Sequence, residues 1–240
     1  MLVCLDLPIS TRQSPFANDM SSSDPILQLQ DLCKMRHRDY IIGGISLTLW
    51  TALEIDPLLD RLIQKKQSDP DVLDERMPYW AELWPSSFLL AEVMANHAPK
   101  LPKGEFLELG CGPALAGVYA ARLGKSGTVT DYLQEARWLA KANAMENHVE
   151  DKIKVEHLDW REPPDKTFSW ILAGDVAYEP RNFRPLMECW TKMLSPGGEV
   201  WLAEPGRSIA KKFFTTLDEN GWSSEVIGQK ERVKVYRITQ

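Results

Sequence analysis

From Lys103 to its end the chain alternates short apolar strands with helices, and no other feature limits its fold as strongly. "GEFLELG" reads as a buried strand, "ALAGVYAARLG" as a small-residue helix ended by Gly124, "GTVTDY" as a second strand and "QEARWLAKANAMEN" as a helix of good formers. "KIKVEHLDW" and "FSWILAGD" add two more strands, the second apolar enough to be buried on both faces. "NFRPLMECWTKML" is a helix, "SPGG" a turn, "EVWLAE" a fifth strand, and "SIAKKFFTTLDENG" a helix closed by Gly221. "WSSEVIG" and "RVKVYRIT" end the chain as two strands with only turn residues between them. Alternation with short connections demands a parallel sheet covered by helices on both faces. The last two strands lack a helix between them and so pair antiparallel at one edge. The expected class is α/β, a doubly wound sheet with an N-terminal appendage.

The appendage spans residues 25–76. In it "YIIGGISLTLWTA" is strand-like with a bend at Gly43-Gly44, and "DPLLDRLIQKKQ" starts a helix with Asp56 as N-cap and Pro57 at the first helical position. "SDPDVLDERMPYWAELWPSS" is loop-rich and aromatic, and "SFLLAEVMANHAP" is a short helix stopped by Pro99. Residues 1–24 show no periodicity and are expected to be poorly ordered; Met20 is a second candidate start, which would make the first nineteen residues an upstream extension.

Composition narrows the function. With 44% hydrophobic and 26% charged residues the chain can bury a full core. Its net charge is −6 and no basic block exceeds Lys65-Lys66, so binding to nucleic-acid phosphates is not expected. Cys4, Cys33, Cys111 and Cys189 form no C-x-x-C pair, which argues for a reducing compartment and against structural zinc. His37, His97, His148 and His157 make no ligand spacing, and no metal is expected. "MLVCLDLPIS" has no basic region ahead of an apolar core, and the apolar run Ile41–Leu53 falls short of the roughly 20 residues of a membrane span. A cytoplasmic, membrane-free protein is the expectation, with its oligomeric state left open.

In open α/β sheets ligands sit beyond the carboxyl ends of the strands, where strand order reverses. The first strand of the alternation ends in "GCGPALAG": Gly110 and Gly112 let the backbone turn and approach a ligand. Asp131 ends the second strand, twenty-one residues after Gly110, an offset that suits hydrogen bonds to a ribose diol. A dinucleotide fingerprint needs glycine at position 115, which is Leu115, and Pro113 crowds the turn where a pyrophosphate would lie. S-adenosylmethionine carries no phosphate and asks only for room beside Gly110 and Gly112. The loop reads better for that cofactor than for a nicotinamide dinucleotide.

Six segments then occur in one order: "PYWAELWPSS", "LELGCG", "TDY", "LDW", "GDVAYEP" and "SPGG". Over Met77–Gly206 they resemble the class I methyltransferases, and more narrowly methyltransferase family 16, with many protein-lysine methyltransferases. Within it the pattern is most similar to the lysine methyltransferases of the electron-transfer flavoprotein beta subunit, whose D-P-G-R corresponds to "EPGR", Glu204–Arg207. Ala114 stands at the third glycine of the family loop, and "AELWPSS" differs from the aromatic-glycine version of that subgroup.

The resemblance implies a Rossmann-like seven-stranded sheet, mostly parallel with an antiparallel C-terminal edge strand, in a methyltransferase domain at 77–240. It implies an S-adenosylmethionine-dependent enzyme that methylates lysine side chains of a protein. A small-molecule amine, another protein side chain or a non-catalytic binding module remain alternatives. As cofactor-binding residues it implies Trp84, Glu108, Gly110, Cys111, Gly112, Asp131, Asp159, Trp160 and Gly174. Trp84 either covers the cofactor or anchors a loop; Trp80 is assigned to the core. Asp159 and Trp160 stand where adenine would lie, and Glu108 at the cofactor's amino-acid end. Asp175 and Tyr178 are the catalytic pair: Asp175 holds the cofactor's amino group or steers an ammonium, and Tyr178 orients the amine or lines the methyl's path. Arg207 either meets a substrate carboxylate or caps a loop, and Glu179 is given no direct role.

Overall fold

The computed structural model describes residues 24–240 and, as backbone only, Val3–Cys4 (β1). The expected disorder before residue 24 and the alternative start at Met20 lie outside the described residues.

The main sheet has seven strands. They are β4 (Phe106–Leu109), β5 (Gly127–Asp131), β6 (Ile153–His157), β7 (Phe168–Gly174), β8 (Leu194–Glu204), β9 (Ser223–Lys230) and β10 (Val233–Thr239), in the spatial order β6-β5-β4-β7-β8-β10-β9. The strands from β6 to β8 pair in parallel. β10 pairs antiparallel with both β8 and the edge strand β9, as the missing helix between the last two strands requires. From β4 the chain runs outward through β5 to β6, then returns to the other side of β4 for β7. The order therefore reverses beside β4, and the carboxyl ends of β4, β5, β6 and β7 open at one edge.

Alternation fixes the two faces. Trp170 and Leu172 of β7 join Phe106, Trp201 and Val235 in one core, against α4 (Pro85–Asn96) and α5 (Leu115–Arg122). Ile171 and Ala173 face the other core, with Leu107, Leu109, Val200 and the apolar sides of α7 (Phe183–Met193) and α8 (Ala210–Glu219). Each large side chain fully buried there contributes about 1.5–3 kcal/mol by area. α5 lies close to the sheet because Gly117 has no side chain: a Cβ there would overlap Val129 and Glu108.

The appendage is more ordered than its sequence pattern suggests. β2 (Met35–Ile42) and β3 (Ile45–Ala52) form an antiparallel hairpin joined by Gly43-Gly44, with φ of +53° and +83°. Two consecutive left-handed residues make the tight turn whose twist matches the strands, so the expected bend is a hairpin. Its free β3 edge docks on α6 (Gln134–Glu146) and the residue just beyond it. Asn143 Oδ1 accepts from Trp50 N (2.7 Å) and its Nδ2 donates to Trp50 O (3.2 Å), while Asn147 makes the same pair with Thr48 (3.0 and 2.7 Å). These buried amides substitute for a further strand along β3.

Two local expectations change. α2 (Asp56–Ile63) has Ile55 at its cap position, and Asp56 sits inside the first turn with no capping bond. "SPGG" is no separate turn: β8 already begins at Leu194, opposite Phe168, and a register shift before Trp170 and Glu199 absorbs Gly197 and Gly198. Among the described residues no helix is long and apolar enough to cross a membrane.

Candidate active site

The strand ends surround a cavity of about 530 Å³. Its floor is the turn after β4, where Gly110 (φ +58°), Gly112 (+49°) and Ala114 (+56°) are all left-handed. Glycine is free to adopt that region; Ala114 does so at a cost of roughly 1–2 kcal/mol. Ala114, at the third position of the loop, is thus strained; it caps α5 and donates its N–H to Cys111 O (2.7 Å). The turn is tightly bounded. A Cβ on Gly110 would stand 3.2 Å from Val176 and 3.5 Å from Trp160, and one on Gly112 3.5 Å from the Trp80 backbone.

Asp131, at the end of β5, ties this turn to the next. Its Oδ2 accepts from Gly112 N (3.0 Å) and its Oδ1 from Leu133 N (2.9 Å). Burial pushes its carboxyl above the usual range, against the pull of those bonds. A carboxylate has about four lone-pair sites, so two remain for a diol in the cavity. Cys111 lines the same floor, its thiol pushed well up by burial.

Glu108 is placed differently from the sequence assignment. It is 4% exposed and does not line the cavity. On β4 it shares a face with Phe106, so its carboxyl points under α5, where Oε2 accepts from Gly117 N (2.8 Å). Burial, opposed by that bond, pushes it up to about 8.

Beyond β6, Asp159 and Trp160 line the cavity as expected. Asp159 is already engaged: both its oxygens accept from Arg161 Nε (2.9 Å each), and Oδ2 also from Nη2 (2.7 Å). Burial raises its carboxyl, but the Arg161 bonds win and hold it below the usual range. An exocyclic amine would therefore meet a carboxylate with little spare capacity, whereas the Trp160 ring borders Gly110 and can stack on a base.

At the other end are Gly174, Asp175 and Tyr178, after β7. Asp175 is left-handed (φ +54°), its N–H donates to Ala203 O (2.8 Å), and its side chain is gripped by Arg207 through Nε–Oδ1 (2.9 Å) and Nη2–Oδ2 (2.7 Å). Arg207 is itself held by Glu204, whose carboxylate accepts the N–H groups of Gly206 (2.8 Å) and Arg207 (2.7 Å). "EPGR" is thus a strut that sets Asp175, and Arg207 is spent on that carboxylate. Tyr178 is half-buried, and burial, followed by the nearby Glu179 charge, pushes its phenol up to about 12. It stays protonated at neutral pH. Trp84 lines the cavity too, its Nε1 donating to Tyr79 O (2.9 Å). Among the described residues no cluster of His, Cys, Asp and Glu could hold a metal ion.

Sequence reasoning missed one wall. Residues 74–80 strap across the cavity, pinned from three strand ends. Arg76 bonds Asp71, Asp74 and the Tyr132 hydroxyl and lies 4.3 Å from the Tyr132 ring centre; Arg161 reaches Asp74 (3.4 Å); Arg181 reaches Asp74 O (3.1 Å) and Glu75 (3.2 Å). Trp80, assigned to the core, is buried and also lines the cavity.

This strand order, with a glycine turn and cavity at the switch point, defines the class I methyltransferase fold. A ribosomal protein L11 methylase from Lactobacillus delbrueckii subsp. bulgaricus superposes with a TM-score of 0.53 at 17% identity, over 63% of this chain and 78% of that one. The glycopeptide N-methyltransferase MtfA, complexed with S-adenosyl-L-methionine, gives 0.54 at 12% identity, over 62% and 93%. Residues 30–220 match the lysine methyltransferase family, and the chain belongs to it. Protein N-lysine methyltransferase METTL21A of Mus musculus is 29% identical over 166 residues, 65% of this chain and 76% of that one. Histone-arginine methyltransferase METTL23 of Rattus norvegicus is 29% identical over 133 residues, 50% of this chain and 59% of the relative. The chain also matches only 59% of the METTL21A of Xenopus tropicalis, so it spans about three-fifths of the length of these two relatives.

Proposed function

We propose that the chain is an S-adenosylmethionine-dependent N-methyltransferase that transfers a methyl group in line to lysine side chains of a protein substrate. One observation carries the reading: the glycine turn, Asp131, Trp160 and the Asp175–Tyr178 segment border one cavity, so a nucleoside-binding end and an acceptor end share a chamber. The family and the printed activity of the METTL21A relatives support lysine as the acceptor. The METTL23 relatives favour a second reading, in which the acceptor is an arginine. A cytoplasmic location is supported by Cys33, Cys111 and Cys189, all free and buried.

The bounded turn and the open lone pairs of Asp131 fit the cofactor, which when bound supplies the methyl group from a positively charged sulfonium. Gly110, Cys111 and Gly112 give the floor, Asp131 the ribose anchor, and Trp160 the surface for adenine. Trp84 and Gly174 border the methyl end. Lysine must lose a proton before it attacks, and its ordinary pKa is about 10.4. Asp175 is locked on Arg207 and is not the base; Tyr178, protonated, is a hydrogen-bond partner and not a base either. The remaining lever is desolvation, which lowers an amine's pKa where it outweighs the attraction of the charged form to the rings around it. Alignment of the amine then supplies most of the rate.

The test is calorimetric titration with S-adenosylhomocysteine, followed by intact-mass analysis of lysine-bearing proteins incubated with enzyme and cofactor. Micromolar binding (about −8 kcal/mol) and mass gain abolished by lysine-to-arginine substitution in the acceptor are expected. Absence of binding would sink the reading; gain that persists would shift it to arginine.

A further inference from the structure

Three aromatic rings meet at the acceptor end, and the roles above leave one of them unused. Tyr79 lines the cavity while 45% exposed, in a short turn between Pro78 and Trp80. Its centroid lies 5.8 Å from that of Trp84 and 5.9 Å from that of Tyr178, at interplanar angles of 84° and 85°. Both contacts are edge-to-face, so the three rings form one continuous aromatic stretch of the cavity wall. The Tyr79 carbonyl fixes the arrangement by accepting the Trp84 indole N–H (2.9 Å). Among the described residues neither phenol oxygen of Tyr79 or Tyr178 has a hydrogen-bond partner.

The nearby carboxylates are already taken. Asp175 is paired with Arg207, and Glu179 with Arg181 (2.6 Å) and Asn182 (3.3 Å). A cation entering here meets three aromatic rings beside carboxylates already paired with arginines. Recognition of this kind does not depend on N–H donors. An ammonium has three of them and each methyl removes one, so a hydrogen-bonding site would release the partly methylated chain. An aromatic one keeps its attraction for the quaternary ion.

We infer that Tyr79, Trp84 and Tyr178 form an aromatic sleeve for the acceptor's alkyl-ammonium, and that Tyr79 selects a cationic side chain and retains it as methyl groups accumulate; this rests on the lysine-transfer reading.

The experiment titrates N-acetyl-trimethyl-lysine methylamide, and its neutral isostere with carbon in place of the quaternary nitrogen, into wild type, Tyr79→Phe and Tyr79→Ala. Each titration is run with and without S-adenosylhomocysteine. Wild type and Tyr79→Phe are expected to prefer the cation by about fivefold or more, and Tyr79→Ala to show that preference cut by about threefold or more. Equal binding of the two compounds by wild type overturns the sleeve, and so does a preference undiminished in Tyr79→Ala. Retained S-adenosylhomocysteine binding by Tyr79→Ala checks its fold. If the cation preference is found but no lysine-bearing protein gains mass, the lysine reading fails and the sleeve stands for another cationic acceptor.

Discussion

Replacing Asp131 by alanine removes two different things, and the structure separates them. The carboxylate accepts the N–H groups of Gly112 (3.0 Å) and Leu133 (2.9 Å) before any ligand arrives. Hydrogen bonds to a charged acceptor contribute about 1.5–3 kcal/mol each. Two facts shrink that sum: the site borders a cavity, so water can replace the lost acceptor, and burial already disfavours the charge. A net loss of about 2 kcal/mol follows, or roughly 4–8 °C in Tm for a chain of this size. The two remaining lone pairs hold the proposed ribose diol, and losing both bonds weakens cofactor binding by about 3–4 kcal/mol, some 10²- to 10³-fold. The assay compares S-adenosylhomocysteine with its 2′,3′-dideoxy analogue by calorimetry, beside thermal melts without ligand. Wild type should discriminate by about 10²-fold, while Asp131→Ala binds both weakly and alike. A mutant that still discriminates would refute the diol assignment. An unchanged melting point would refute the bracing role.

Asn143→Ala removes the amide that bonds Trp50 N, Trp50 O and Pro113 O (2.8 Å) and strands buried backbone groups, so chemical denaturation should show a loss of about 3 kcal/mol. Amide exchange at Trp50 should quicken in the same variant. Arg161→Ala should cost under about 1 kcal/mol because the side chain is 46% exposed, yet free the strap. Stopped-flow tryptophan fluorescence should then show S-adenosylhomocysteine leaving several-fold faster, with a weaker salt dependence than in wild type. Glu108, pushed up from 4.5 to about 8, keeps its proton in the folded protein where the unfolded chain has lost it, so its contribution falls as pH rises across that window. Glu108→Gln keeps an acceptor for Gly117 N–H and should flatten that decline in denaturation curves taken from pH 5 to pH 8; an unchanged slope would place the titrating group elsewhere.

Residues at strand ends were legible because parallel strands share a direction. Asp131, Asp159, Trp160, Asp175 and Tyr178 each follow a recognisable strand, and parallel pairing alone carries them to one edge. What stayed hidden depends on distant partners. Asp74 and Arg76 read as loop charges because the groups that hold them lie 56, 87 and 107 residues further along. β2 was read only from Tyr40 because Arg36, His37, Arg38 and Asp39 make it polar, although Gly43-Gly44 carried the hairpin signal. Glu108 was misplaced for a local reason: period-two alternation puts it on the face of Phe106, beneath α5, and the motif drew attention to the turn instead. Tyr132 stood in "TDY" beside Asp131, and nothing local revealed that two arginines would lie over its ring.

The charges around the cavity follow one rule with one exception. Each arginine on its wall is matched to a carboxylate: Arg76 to Asp74, Arg161 to Asp159, Arg181 to Glu179 and Arg207 to Asp175. These pairs are struts that fix the strap and the two ends, and their charges largely cancel at a distance. The Asp131 carboxylate accepts only backbone N–H groups; the nearest arginine, Arg137, bonds its carbonyl instead (3.0 Å) and offsets part of the cost of burying the charge. A cation in the chamber is attracted to this carboxylate, because a partly compensated charge beside a cavity is felt across several ångströms. The proposed cofactor carries that charge on sulfur before transfer and lacks it afterwards. The attraction to Asp131, reduced by Arg137, is therefore felt by the reactant and lost in the product.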